Sequence, residues 1–176
     1  MADLLKLEIV TPTGVAFARD VLEVDAPTVG GEIGILPGHV PMLTALRTGI
    51  VTAKAPQGGE EPFRFAVAHG VLEVTKEKAV VLTDHFAKKE DVDIVKTRAR
   101  FKTVDEELVA WTGEPDDPKR YELIEEEQWL ATQLELIGDP PPPMVRELTR
   151  FRESVEEVQL EAHVDTPEGL VAPQRE

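Results

Sequence analysis

The sequence predicts a mainly β N-terminal sandwich or barrel of about 8–10 strands, followed by an α-helical hairpin and an extra C-terminal helix. Three observations predict it. Up to residue 86, short runs of alternating apolar and polar residues are separated by Gly- and Pro-containing turn clusters, about every 8–12 residues. After Asp84-His85 the apolar period lengthens from two residues to alternating steps of three and four. Pro140 to Pro143 then forms a stiff spacer that neither helix nor strand continues through, with a new helical period beyond it. These changes divide the chain into residues 1–86, 87–138 and 139–176.

Leu4, Leu5 and Lys6 open a strand that runs through Glu8-Ile9-Val10 and stops at the turn cluster Thr11-Pro12-Thr13-Gly14. Val15 to Arg19 and Val21 to Asp25 alternate as half-buried strands do, and Ala26-Pro27-Thr28 is expected to close the second. The segment from Gly30 to Gly49 holds five Gly and two Pro around a short apolar core. Ile33 and Ile35 alternate within it, and Pro37-Gly38 suits positions i+1 and i+2 of a type II turn. His39 precedes an extended stretch set by Pro41, because the residue before a proline is pushed out of the helical region. A rigid turn with one exposed carboxylate, Glu32, reads as a docking edge on a β scaffold, or as a hairpin serving only the fold.

Gly49 to Lys54 is the next strand, with Val51 and Ala53 on one face. A hairpin loop at Pro56-Gln57-Gly58-Gly59 leads to Phe63-Arg64-Phe65-Ala66-Val67, whose Phe63, Phe65 and Val67 share a face. Val71 to Val74 and Ala79 to Thr83 complete the β region. Asp91 is then positioned to cap a helix bearing Ile94, Thr97, Phe101, Val104, Leu108 and Trp111 on one stripe, ending at Gly113. Asp117-Pro118 starts a second helix carrying Leu123, Leu130, Leu134 and Ile137, with Gly138 as its stop. A short loop between the two predicts an antiparallel hairpin, with Trp111 and Trp129 both able to pack in its seam. Met144, Leu148, Phe151, Val155 and Val158 predict a third amphipathic helix, and Glu161 to Glu176 reads as a disordered end.

At 176 residues and 41% apolar content the chain holds one ordinary domain and an appendage. No apolar run approaches the ~18 residues of a membrane span, and the first residues resemble neither a signal nor a transit peptide, so a bacterial-type cytoplasm is expected. Charge is unevenly placed: residues 1–102 hold 14 acids and 13 bases, residues 103–176 hold 20 acids and 6 bases. Nearly all of the net −15 therefore belongs to the tail, which argues against nucleic-acid binding and adhesion to anionic lipid.

Catalytic and metal chemistry find little to use. Without cysteine there is no disulfide, zinc-thiolate site or thiol nucleophile. His39, His69, His85 and His163 lack ligand spacing, and the phosphate-loop, dinucleotide, HExxH and GxSxG motifs are missing. Ser154, the only serine, lies among glutamates. Asp116-Asp117 and Glu125-Glu126-Glu127 are expected on solvated positions.

The residues Gly-Glu-Ile-Gly-Ile-Leu-Pro-Gly-His-Val-Pro-Met-Leu-Thr-Ala-Leu-Arg-Thr-Gly, from Gly31 to Gly49, resemble the signature loop of the epsilon subunit of F-type ATP synthases, called delta in mitochondria. The opening strand ending in Thr11-Pro12, the stretch Gly70 to Val74 and the helical tail agree in order, so the resemblance spans residues 4–138. It implies a non-catalytic rotor subunit of the central stalk, peripheral on the cytoplasmic face of the cell membrane. Its implied partners are the gamma subunit, the c-subunit ring, and the catalytic alpha/beta head when the C-terminus is extended. The ring contact is expected at Glu32, Gly38 and His39, and a gamma contact on an apolar outer strand face.

Some bacterial members of the family bind ATP at the start of the hairpin, and the matching residues here read Val92-Asp93-Ile94-Val95-Lys96-Thr97. The aspartate is kept, but lysine and threonine replace the family's arginine and alanine. Asp93, Lys96 and Arg100 are thus the candidate nucleotide residues, with Lys88, Lys89 and Arg98 adding positive charge; charge balancing against the acidic tail is the plainer reading. ATP is the only ligand the resemblance implies, and the third helix departs from the family pattern. A free-standing β-sandwich module for a ligand or peptide is the competing reading.

Overall fold

The structure, a computed structural model, describes residues 3–56 and 60–142. Ten strands come first: β1 (Leu5–Thr11), β2 (Gly14–Val21), β3 (Glu23–Thr28), β4 (Gly31–Ile35), β5 (Met42–Leu46), β6 (Gly49–Lys54), β7 (Phe63–Val67), β8 (Gly70–Val74), β9 (Lys78–Thr83) and β10 (Phe86–Ala87). A 3-10 turn at Lys89–Asp91 leads to helices α1 (Ile94–Val109) and α2 (Pro118–Leu136).

The strands form two runs packed face to face. One is β10-β7-β6-β3, with β4 on the edge of β3; the other is β5-β8-β9-β1-β2. They join where Thr28 of β3 meets Leu46 of β5. Neighbours are antiparallel except β1 and β9, which run parallel with Lys6 opposite Lys78 and Val10 opposite Leu82.

Period-two patterning places Leu5, Leu7 and Ile9, Val51 and Ala53, Phe65 and Val67, and Leu72 and Val74 in a single core. Phe17 of β2 closes the core's open side. Its ring centroid lies 4.5 Å from that of Phe65 and 5.3 Å from that of Phe63, a tilted packing that suits aromatic quadrupoles.

Several sequence expectations change. Ala26-Pro27-Thr28 do not close a strand; they are its second half, buried and paired with β4. Proline is tolerated there because only its carbonyl is needed, and it accepts from the Arg47 amide at 3.1 Å. The short β10 was not foreseen: Phe86 and Ala87 pair with Val67 and Ala66.

Helix α1 is capped by Asp93 rather than Asp91, its side chain accepting from the Lys96 amide at 3.1 Å. Asp91 instead closes the 3-10 turn by accepting from the Lys88 amide at 3.0 Å. The start of α2 matches expectation, with Asp117 accepting from the Lys119 amide at 2.9 Å and Pro118 in the first turn. Gly138 adopts φ +86° past its end, a conformation that favours glycine.

Val104 and Leu108 of α1 meet Leu123, Ile124 and Leu130 of α2 in the hairpin seam, with Phe101 and Trp111 against them. Ile94 lies outside the seam, 39% exposed, and Leu136 is buried more deeply than Ile137. Trp129 is not in the seam. It packs with Leu136 against Ala66, Ala87 and Ile50, so α2 buries a second side on the outer face of β6 and β7. This double burial explains Glu127, expected to be solvated but only 2% exposed.

The third helix and disordered end expected beyond Pro143 lie outside the described residues, as do positions 57–59 of the expected hairpin loop. Among the described residues no helix is long and apolar enough to cross a membrane.

Candidate functional site

The Pro37-Gly38 turn has the geometry its sequence demands. Gly38 has φ +82°, and the His39 amide donates to the Leu36 carbonyl at 3.1 Å, closing the turn. The Gly38 amide also donates to the Lys76 carbonyl at 2.8 Å, fixing the turn to the loop between β8 and β9. His39 is half-buried rather than exposed; its Nδ1 donates to the neighbouring Val40 carbonyl at 2.8 Å. What the turn offers to solvent is apolar: Leu36, Val40 and Leu43 are 55%, 71% and 72% exposed.

Glu32 is exposed, but at the opposite end of β4 from this turn. About 10 Å of strand separates Glu32 from Ile35 before the turn begins. The three residues expected to make one ring contact therefore occupy two ends of the sandwich. Glu32 lies on the same strand pair as Asp25 and Glu23, with Glu23 toward the turn end. Burial, with Glu23 and Glu32 alongside, pushes the Asp25 carboxyl above its ordinary range, against the opposing pull of Lys54.

At the hairpin root, Asp93 and Lys96 come together and Arg100 turns away. The Lys96 amide, donating to Asp93, holds that carboxyl below its usual range, and the Lys96 ammonium lies 3.4 Å from it. Arg100 forms a two-pronged ion pair with Glu126 of α2, both contacts at 2.6 Å, with Glu107 at 3.9 Å. Arg98 pairs with Asp139, whose carboxyl it holds low. The guanidiniums of the candidate nucleotide region thus fasten the hairpin to itself.

The two outer faces of the sandwich differ. That of β6 and β7 is covered by α2. Among the described residues no helix covers that of the β5-β8-β9-β1-β2 run, and register aligns an apolar row across it: Ala45 opposite Val71, Val71 opposite Leu82, Leu82 opposite Val10, Val10 opposite Val15. Val71, Leu82 and Val15 are 37%, 43% and 62% exposed. Further along β1 the same face carries paired charges, Glu8 meeting Lys78 at 2.6 Å and Lys6 at 3.2 Å. Beside the apolar row Gly70 lets β8 and β9 close up, since a Cβ there would sit 2.0 Å from the Leu82 carbonyl oxygen. Sequence reasoning expected an apolar outer strand face but not which residues compose it, because the cross-strand register that assembles the row is not written in any single strand.

The class the fold defines is a two-layer β-sandwich followed by a docked helical hairpin. Residues 4–89 match the family model described as ATP synthase, Delta/Epsilon chain, beta-sandwich domain. The ATP synthase epsilon chain of Desulforamulus reducens is 37% identical over 116 residues, 66% of this chain and 86% of that one. The ATP synthase epsilon chain 2 of Syntrophotalea carbinolica is 29% identical over 138 residues, 78% and 96% of the two chains. A chain in the cryo-EM structure of Euglena gracilis mitochondrial ATP synthase (OSCP/F1/c-ring, rotational state 1) has the same fold, at TM-score 0.62 and 18% identity over 77% of this chain and 81% of that one. The chain belongs to the ATP synthase epsilon chain family.

Proposed function

We propose that this protein is a non-catalytic rotor subunit of an F-type ATP synthase, seated in the central stalk between the c-subunit ring and the gamma subunit and peripheral to the membrane on its cytoplasmic face. The observation that carries the reading, beside family membership, is the apolar row Ala45-Val71-Leu82-Val10-Val15 on the sheet face that α1 and α2 leave open. Such a row fits a large partner surface, and a stable interface buries on the order of 1,200–2,000 Å². We assign it to gamma. Glu32, at the β3–β4 end, is assigned to the polar loops of the c ring. Gly38 and His39 hold the shape of the opposite turn, whose Leu36, Val40 and Leu43 extend the apolar contact. Torque transmission needs a stiff body with wide contacts, and one continuous core meets that need.

The hairpin is the regulatory half in this reading. Docked, it is withheld from the alpha/beta head; released, it is free to reach it. Since residues 103–176 carry 20 acids against 6 bases, insertion beside acidic surfaces is electrostatically opposed, and inhibition of ATP hydrolysis is weak. Any ATP bound at Asp93, Lys96 and Arg100 competes with Glu126 for the guanidinium, so nucleotide and the docked clamp oppose each other. Pull-down of gamma and the c ring by the full chain, with Val71→Asp/Leu82→Asp as the comparison, tests the seating. Loss of gamma in the folded variant supports it, and a wild-type chain that ignores gamma favours a free-standing binding module. Removing residues 87–176 from the reconstituted enzyme tests the regulation: a large rise in hydrolysis overturns weak inhibition.

A further inference from the structure

We propose that the cleft between β2 and β7 binds a phosphate-bearing anion with a flat or apolar body, the chemistry shared by nucleotides and phospholipid headgroups. The cleft holds about 400 Å³, within the ~300–1,000 Å³ typical of small-molecule sites. Phe17, Phe63 and Phe65 line it together with two cations, Arg19 from β2 and Lys88 from the connector to α1; Arg64 also borders it, from a β7 position that alternates with Phe63 and Phe65 and leaves the strand on the other face. Glu90 is the one acid among the lining residues.

The cations stand in an acidic chain. It carries a net charge of −15, and Lys6, Lys54, Lys78, Arg98 and Arg100 each hold a carboxylate. Arg19, Arg64 and Lys88 are in no ion pair among the described residues, as is also true of Arg47, Lys76, Lys89, Lys119 and Arg120, but these three line one cavity, with Glu90 the one acid among its lining residues. Arg19 is further held in place, its guanidinium carbon 5.8 Å from the centre of the Phe63 ring. That arrangement puts planar donors, which match phosphate oxygens in pairs, beside aromatic faces that receive a base or an acyl chain.

The position gives the site a structural consequence. Strands β2 and β7 belong to different runs of the sandwich with no ladder between them, and Lys88 and Glu90 belong to the segment that roots the hairpin. An anion held by all three elements ties the sandwich's open side to the base of its helices. The site is separate from Asp93, Lys96 and Arg100, whose guanidinium is occupied by Glu126.

The test is calorimetric titration of the full chain with ATP and with inorganic pyrophosphate, alongside co-sedimentation with phosphatidylglycerol and phosphatidylcholine vesicles. The variants are Arg19→Gln, Arg64→Gln and Lys88→Gln at the cleft and Lys96→Gln at the hairpin root, with the exposed Lys119→Gln as the control. Saturable ATP binding is expected to weaken about tenfold with each cleft arginine removed and not with Lys119→Gln. Binding confined to phosphatidylglycerol vesicles, with the same dependence on the three cations, supports the site with lipid as the source. Absence of binding in every arm overturns the proposal, as does binding that ignores the cleft variants or follows Lys96 alone.

Discussion

Replacing Ala66 with glutamate separates the sandwich from its helices. Ala66 lies between Phe65 and Val67 on β7, but its side chain faces outward and is fully buried only because α2, with Leu136 and Trp129, lies on it. In the docked state a glutamate here has no water, and the cheapest way to accommodate it is to keep it protonated. At pH 7 that costs about 3.7 kcal/mol relative to its ordinary pKa of about 4.3, a factor of roughly 500 against docking, before any steric penalty. Once the hairpin lifts, the same carboxylate is solvated without cost. Because the penalty shrinks to about 1 kcal/mol near pH 5, undocking is expected to reverse in mild acid. Trp129, whose ring centroid lies 5.6 Å from that of His85, reports the state by fluorescence in a Trp111→Phe background. A red-shifted, readily quenched emission at pH 7, with β-sheet circular dichroism intact, is the expected result. An unchanged Trp129 at pH 7, or collapse of the sandwich along with the hairpin, refutes the view that α2 is a separable cover.

Gly70→Ala forces a Cβ to within 2.0 Å of the Leu82 carbonyl oxygen, so β8 and β9 must part. A loss of about 1–3 kcal/mol or more in urea unfolding is expected, and an unchanged midpoint contradicts the close approach. Asp25→Asn acts through charge. The native carboxyl, raised by burial and by Glu23 and Glu32, holds its proton more tightly than the unfolded chain's does, so stability falls as pH rises from the unfolded pKa through the folded one. The variant is therefore expected to melt higher than wild type at neutral pH and to lose that advantage near pH 3. Equal differences at both pH values disprove the assigned cause.

Strand identity was legible because alternation and turn chemistry are local. Pro37-Gly38 specifies its turn, and Asp117-Pro118 specifies the start of α2, within a few residues each. What escaped depends on distant partners. Either Asp91 or Asp93 can cap a helix; the choice follows from the 3-10 turn, which uses Asp91 for the Lys88 amide. Trp129 and Glu127 read as ordinary positions on an amphipathic helix until α2 is seen to pack on both α1 and β7. Glu32 and Gly38 are close in sequence, yet an intervening extended strand puts them at opposite ends of the domain.

The parallel pairing of β1 with β9 also bears on how the domain is made. Lys6 waits for Lys78, and Val10 for Leu82, so the first of these ten strands to leave the ribosome has β2 as its hairpin mate but no second neighbour until nearly the whole β region has been translated. Closing that long loop is slow relative to forming local hairpins. Through that interval the nascent β1 shows a bare edge, the kind of surface that invites a chaperone or another unfinished chain.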